Sequence, residues 1–443
     1  MKTASIVAVG TELLVGQVVN SNAAYISEQL QLIGVDVLYH FTVGDDPARL
    51  KQTLECAAGE SDIVITTGGL GPTQDDMTKE LIAELCGRQL VHDEEAHRRM
   101  DAIMRAYGRQ NYTENNLKQA LLPEGATAFY NEAGTAPGFA LEEGAKVFIA
   151  MPGPPREMKE MMQVSVIPYL TKLSDAAIYS RQLRFYGIGE SALETMLLPI
   201  IEGQTDPAVA TYAKEGECMV RVSSMRRTGP EAEAAVEEAV SKVREIAGSY
   251  LYDEDDKDYP QVIVEMMQAR GLKLASAESC TGGLFAGAIT SVPGSSEVLD
   301  RSFVTYSNEA KMEMIGVSSE TLEKYGAVSE PCAREMALGA LAASRADIAI
   351  SVTGIAGPGG ATCGKPVGTV FFGLAGRLGA APAEQRTEFA ESAGQHTELA
   401  APAEQRTVCL VREKHFRDRG RRVNRHVCVL EICDFIRAYL LDK

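Results

Sequence analysis

No apolar run in this 443-residue chain approaches the ~20 residues a membrane-spanning helix requires. Positive charge is also scarce: 43 Lys and Arg stand against 61 Asp and Glu, a net charge of −18. Nothing therefore draws the whole chain toward a nucleic-acid backbone or an anionic lipid surface. The nine cysteines, Cys56, Cys86, Cys218, Cys280, Cys332, Cys363, Cys409, Cys428 and Cys433, form no C-x-x-C pair, and the six histidines form no H-E-x-x-H. That pattern excludes a structural zinc site and points to a reduced, cytoplasmic chain. Met1-Lys2-Thr3 passes directly into Ile6-Val7-Ala8-Val9-Gly10, too short and too soon polar for a signal peptide, so it reads as a buried strand. A G-x-G-x-x-G dinucleotide fingerprint and a Walker phosphate loop are both missing. What remains is an ordinary soluble composition, 45% hydrophobic and 23% charged, with room for two to four domains at roughly 100–200 residues each.

Patterning places short β-rich runs at 5–9, 35–42, 62–67 and 147–150, alternating with helical runs at 22–33, 47–58, 78–86 and 94–107. Such alternation argues for βαβ units and a parallel sheet covered on both faces. From about 171 to 255 the texture becomes a small α+β connector, ending in the acidic run Asp253-Glu254-Asp255-Asp256, which reads as a solvated linker. A second α/β unit follows, with strands expected at 273–277, 303–306, 348–352 and 369–374 and helices at 262–269, 281–290, 332–344 and 427–441. The fold class expected is α/β, two three-layer domains with mostly parallel sheets joined by an α+β connector, divided as 1–170, 171–255 and 256–443. The octapeptide AAPAEQRT at 380–387 recurs at 400–407, so 377–407 reads as a duplicated insertion in a surface connection. The basic run Arg417–Arg425 reads as an exposed face ahead of the last helix, with phosphate binding as its minority reading.

Glycine-rich turns cluster where strands end. In the first unit these are Gly10-Thr11-Glu12 with Asn20 and Asn22, then Gly68-Gly69-Leu70-Gly71-Pro72-Thr73 with Asp75 and Asp76, then Gly134–Gly138 and Met151–Pro155. The carboxyl edge of an open parallel sheet is where ligands collect, and glycine lets backbone N–H groups approach an anion. Glu12, Asp75 and Asp76 so close to a phosphate would call for a divalent cation between them. Singly, each cluster is also what a plain turn looks like.

In the second unit the strand over 273–277 runs into Glu278-Ser279-Cys280-Thr281-Gly282-Gly283, which places Ser279 at the expected start of a helix. A serine there lies near free amides able to hold an oxyanion. The next strand ends in Thr305-Tyr306-Ser307-Asn308, with Lys311 opening another helix, and a third ends in Thr353-Gly354-Ile355-Ala356-Gly357-Pro358-Gly359-Gly360. A Ser/Lys/Tyr set works without histidine when burial lowers the lysine pKa. Each alone has a plainer account: Ser279 as an N-cap, Cys280 as a packed residue, Lys311 as a solvated helix lysine.

Together these stretches resemble the competence/damage-inducible CinA family. The matching text is GTELL and NSN within 10–22, TTGGLGPTQDD at 66–76, NEAGTAPGF at 131–139, MPGPPREM at 151–158, AESCTGG at 277–283, VTYSNEAK at 304–311 and VTGIAGPGG at 352–360. The resemblance implies a molybdopterin-binding-like domain, a connector and a C-terminal nicotinamide-nucleotide amidase domain. The latter would hydrolyse nicotinamide mononucleotide to nicotinate mononucleotide and ammonia, without a cofactor, with Ser279 as nucleophile beside Tyr306 and Lys311. Substrate contacts would come from Thr281, Gly282, Gly283 and Asn308, and the 353–360 loop (Thr353, Gly354, Gly357, Gly359, Gly360) would grip the ribose phosphate. For the first domain the resemblance implies an ADP-ribose pyrophosphatase using a divalent metal (cobalt or magnesium) at Asp75 and Asp76, with potassium. Its substrate contacts would be Gly10, Thr11, Glu12, Gly68, Gly69, Gly71 and Thr73. A homodimer is implied by the same analogy, and neither nucleic acid nor membrane is an expected partner. Two rivals stand beside this: a first domain that binds or senses a phosphorylated pterin without turnover, and a structural partner of recombination proteins, which the acidic charge disfavours.

Overall fold

The computed structural model describes residues 2–106, 114–173, 177–202, 206–226, 228–378 and 406–442. The chain forms two compact units, one of Met1–Ser180, Thr205–Pro207 and Ser223–Glu238, the other of Arg181–Gln204, Ala208–Val222 and Ala239–Lys443. Among the described residues no helix is long and apolar enough to cross a membrane. All nine cysteines are free thiols.

The strands of the first unit are β1 (Thr3–Val9), β2 (Asp36–Val43), β3 (Ile63–Thr67), β4 (Leu90–His92), β5 (Leu121–Pro123), β6 (Thr127–Phe129), β7 (Gly138–Glu143) and β8 (Lys146–Met151). One sheet has the order β2-β1-β3-β8-β7-β6, and β4 and β5 form a separate antiparallel ribbon. The four strands β2, β1, β3 and β8 are parallel, while β7 and β6 close the edge antiparallel. Alternation along the strands explains the layers. Ile6, Ile65 and Ile149 pack toward the helices Ser21–Leu32 and Pro155–Met161. Their neighbours Val7, Val64 and Phe148 pack toward Pro47–Glu60 and Thr78–Leu85. Burial on both faces is why these strands carry unbroken apolar runs. Asn20 accepts a bond from the Ala23 amide and Asp46 one from Arg49, fixing where the first two of those helices begin.

The remaining strands are β9 (Ala177–Phe185), β10 (Ala208–Ala213), β11 (Cys218–Arg226), β12 (Leu251–Asp253), β13 (Leu274–Glu278), β14 (Leu299–Val304), β15 (Ile348–Gly354), β16 (Thr369–Leu378) and β17 (Arg406–His415). A four-stranded sheet runs β10-β11-β9-β12, and a five-stranded sheet runs β14-β13-β15-β16-β17. In the latter β14, β13 and β15 are parallel, and β16 and β17 are antiparallel. Leu274, Ile350 and Phe372 pack against the helices Tyr259–Ala269 and Arg421–Leu441. The opposite face is lined by Ala275, Ala277, Ala349 and Ala375, which lets the helix Glu330–Ala342 settle close. A Cβ on Gly373 would stand only 2.5 Å from the Ala333 carbonyl oxygen. The α/β class and the layered, mainly parallel sheets agree with the sequence expectation.

Several local expectations are corrected. The acidic run is no free linker: Arg184, only 5% exposed, bonds Asp256 at 2.6 Å and Glu217 at 3.0 Å, while Arg244 holds Glu254 at 2.7 Å. The buried Arg184 guanidinium requires carboxylates, and Asp256 of the run supplies one. The last helix starts at Arg421, six residues before the expected 427, so much of the basic run lies on its first turns. The helix expected from 281 begins at Leu284, because Gly282 and Gly283 take left-handed φ values of +57° and +90°. The strand expected to reach Tyr306 stops at Val304. Antiparallel pairing continues to Arg377↔Thr407 and Leu378↔Arg406, on either side of the duplicated segment; residues 379–405, with the first AAPAEQRT copy and most of the second, lie outside the described residues.

Candidate functional site

The centre of the second unit is built where β13, β14 and β15 end. Ser279 directly follows β13, and its amide is held to the Val352 carbonyl of β15 at 3.0 Å. Thr305, just past β14, is tied back to Glu278 by a 2.8 Å backbone bond. Ser307 caps the helix Asn308–Ile315, accepting from the Ala310 amide at 3.1 Å. That helix turns Lys311 inward until it is 1% exposed. Its Nζ lies 3.1 Å from Ser279 Oγ, 2.8 Å from the Thr305 carbonyl and 3.5 Å from the Tyr306 carbonyl. No carboxylate is among these partners, and burial holds the lysine below its ordinary pKa. A lysine that sheds its proton readily, in reach of a hydroxyl, is a nucleophile–base pair.

Glu278 was missed by the sequence reading. Its carboxylate is fully buried and accepts the amides of Gly283, Phe285 and Ala286 at 3.0, 3.0 and 2.9 Å. The amides at the start of the helix Leu284–Thr290 are therefore already engaged. Gly282 donates to the Ser279 carbonyl at 3.1 Å, closing the turn. Of the amides of the 280–283 turn, expected to hold an oxyanion, those of Gly282 and Gly283 are engaged, while those of Cys280 and Thr281 have no partner among the described residues and remain available.

The other expected residues spread around this centre. Tyr306 is 61% exposed, and its hydroxyl accepts from Arg421 at 3.0 Å rather than meeting Ser279. Asn308 is exposed. Thr353 donates its hydroxyl to the Ala327 carbonyl at 2.7 Å. Gly354 lies within β15, where a Cβ would stand 2.8 Å from the Thr369 carbonyl. The Gly357 carbonyl accepts from Arg421 at 3.0 Å, and Gly359 and Gly360 are exposed. Arg421 and Arg425 belong to the basic run for which the sequence placed phosphate binding second to an exposed face. Arg425 donates to the Thr281 carbonyl.

In the first unit the expected clusters converge on a cavity of about 580 Å³. Gly10, Glu12, Asn20, Asn22, Gly68, Gly69, Gly71, Asp75 and Asp76 all line it, together with Thr135, Ala136 and the 152–155 turn. Gly68 permits a close backbone approach: a Cβ there would fall 2.2 Å from the Val9 carbonyl oxygen. Thr11 and Thr73 are exposed and do not line the cavity, Thr11 bonding Asp45 at 2.7 Å through its hydroxyl and Thr73 bonding Asp76 at 3.0 Å through its amide. Asp45, Gln119 and Glu157 also line the cavity and had no sequence signal of their own. Among the described residues no three His, Cys, Asp or Glu side chains gather closely enough to hold an ion. Glu12, Asp75 and Asp76 in this lining form no preformed cage; a cation they held would be shared with a ligand's phosphates, with Asp75 and Asp76 as donors.

Three family models match consecutive parts of the chain: "Probable molybdopterin binding domain" over 5–172, "Damage-inducible protein CinA KH domain" over 180–252 and "CinA C-terminal domain" over 256–414. A CinA-like protein of Dictyoglomus thermophilum is 47% identical over 369 residues, covering 83% of this chain and 90% of that protein. The CinA-like protein of Dictyoglomus turgidum is 46% identical with the same coverage. The solved competence/damage inducible protein CihA of Agrobacterium tumefaciens is 40% identical, covering 41% of this chain and 92% of its own, with a TM-score of 0.34. On this full-length similarity, the chain belongs to the competence/damage-inducible CinA family.

Proposed function

We propose that the second unit is a serine amidohydrolase that converts nicotinamide mononucleotide and water to nicotinate mononucleotide and ammonia. The observation that carries this reading is the 3.1 Å pairing of Ser279 with a buried Lys311 whose pKa is lowered. Neutral Lys311 accepts the Ser279 proton as Oγ attacks the carboxamide carbon. The Cys280 and Thr281 amides face the developing oxyanion. Collapse of the tetrahedral adduct passes the proton from Lys311 to the departing nitrogen, releasing ammonia. Water, deprotonated by the same amine, then attacks the acyl-enzyme, giving the carboxylate and restoring Ser279. The test is ammonia release from nicotinamide mononucleotide by the full chain and by S279A; parental release by S279A overturns the assignment.

For the first unit, the reading is a metal-dependent hydrolase of ADP-ribose, with Asp75 and Asp76 holding a divalent cation against the diphosphate, where it would offset the ligand's charge. The shared cavity of Glu12, Asp75 and Asp76 supports this. The second reading is a site that binds a phosphorylated pterin without turnover, which the glycine-rich lining at Gly10, Gly68, Gly69 and Gly71 would serve equally. AMP release from ADP-ribose with added magnesium or cobalt decides between them; no release with either metal leaves the binding reading.

A further inference from the structure

Two arginines near the second unit's centre answer to carboxylates. Arg412 lies 2.8 Å from Asp434, and Arg422 donates to Glu215 at 2.8 Å. Arg421 and Arg425 differ. Among the described residues their partners are uncharged oxygens only: the Gly357 carbonyl and Tyr306 hydroxyl for Arg421, each at 3.0 Å, and the Thr281 carbonyl for Arg425. In a chain of net charge −18, two guanidinium groups beside a nucleophile with no carboxylate between them are an anion site by electrostatics. The nearest acid in sequence, Asp418, is turned to the Gly420 amide at 2.9 Å and Asn424 Nδ2 at 3.0 Å.

A second observation agrees. Three buried polar atoms about the nucleophile turn find no protein partner: Arg425 Nε, Thr281 Oγ1 and Thr305 Oγ1. Buried donors left open at such a place await a ligand or its water. The other anion sites that glycine-rich turns suggest are less available. Glu278 already occupies the amides of Gly283, Phe285 and Ala286, and a phosphate there would meet a buried carboxylate. In the 353–360 loop, Thr353 is bonded to Ala327 and Gly357 presents its carbonyl to Arg421. Arg425 also stands over the turn itself: a Cβ on Gly282 would lie 3.6 Å from its terminal nitrogen.

We propose that Arg421 and Arg425 form the specificity-determining anion subsite, taking the phosphate of a phosphorylated carboxamide substrate while the carboxamide reaches Ser279. This rests on the amidohydrolase reading above and moves the phosphate grip from the glycine loop to the first two turns of the helix Arg421–Leu441. The site then disfavours the unphosphorylated nucleoside, because the two guanidinium groups, that of Arg425 with its Nε buried, are left without an anion.

The test uses the full chain as parent, R421A, R425A and R425K, with ammonia release from nicotinamide mononucleotide and from nicotinamide riboside. The parent is expected to favour the mononucleotide by about 10²-fold in kcat/KM, and each alanine variant to raise KM for it by about tenfold with kcat little changed. Activity on the riboside stays as it was, and R425K recovers part of the loss. Equal losses on both substrates, or a parent indifferent to the phosphate, overturn the proposal; R421A, at an exposed position, covers the case of a misfolded R425A. If no variant or parent releases ammonia from either compound, the amidohydrolase reading fails by itself. Calorimetric titration with inorganic phosphate then judges the subsite: loss of one bound phosphate in R421A/R425A supports it, and unchanged binding overturns it.

Discussion

Among the described residues each unit buries one lysine, and only one of the two meets a hydroxyl. Lys79 of the first unit is 4% exposed and Lys311 of the second is 1% exposed. Burial lowers the pKa of both, Lys79 to about 8. The difference is in what the amine meets. Lys79 donates to the carbonyl of Lys118, a group that accepts a bond and has no proton to give. Lys311 meets a serine hydroxyl at 3.1 Å, held by strand β15 through its own amide. A depressed pKa is thus a property of burial, and it becomes chemistry only when a nucleophile is placed against it. The surroundings diverge in the same way: the first cavity is lined by carboxylates, whereas Arg421 and Arg425 of the second centre bond only uncharged oxygens among the described residues.

Substitutions break this contrast in order of expected size. S279A and K311M each lower ammonia release from nicotinamide mononucleotide by at least about 10³-fold, whereas K79M leaves it unchanged in the same assay. A chelator abolishes AMP release from ADP-ribose, a loss of about 10²-fold or more, and spares ammonia release; loss of both activities would erase the distinction between the units. E278A strips the acceptor from three amides and is expected to cost about 2–4 kcal/mol of stability, with a fall in kcat that exceeds any rise in KM; thermal unfolding and steady-state kinetics read the two effects. The pH profile sharpens the role of Lys311. Its neutral form is the base, so kcat/KM climbs with pH and levels off at an inflection below the ~10.4 of a free lysine.

Lys79 gives the smallest effect, and its sign is opposite to that of a paired group. With a folded pKa of about 8 against 10.5 unfolded, the unfolded chain binds more protons between those values, so stability rises with pH across that window. Below about 8 the full cost of the buried ammonium is present. K79M should therefore be more stable than the parent at pH 7 by about 1–3 kcal/mol, with the gap closing as pH approaches 10.5. Denaturant unfolding at pH 7 and pH 10 checks it.

Residue type and order made the βαβ architecture legible, since strands buried on both faces, such as Ile6-Val7 of β1, cannot avoid continuous apolar text. The pairing of Ser279 with Lys311 was legible because Ser279 stands just past β13 and Lys311 lies on the helix that follows the neighbouring parallel strand β14. Glu278 was not: it reads as the last residue of a strand, and only the fold of the Cys280–Gly283 turn brings three amides onto it. Nor were Arg421 and Arg425. A basic run ahead of a helix looks like a solvated face, and more than a hundred residues separate it from the Tyr306 and Thr281 atoms it meets. The acidic run at 253–256 misled for the same reason, because its partner Arg184 is distant in sequence and adjacent in the sheet.

The most direct test of the central claim is a paired assay on the full chain, following ammonia and nicotinate mononucleotide formed from nicotinamide mononucleotide by the parent and by S279A. The expected result is equal amounts of the two products from the parent and none above background from S279A. Product formation by S279A at the parental rate, or no formation by a folded parent, would contradict the account of Ser279 and Lys311 as a nucleophile and its base.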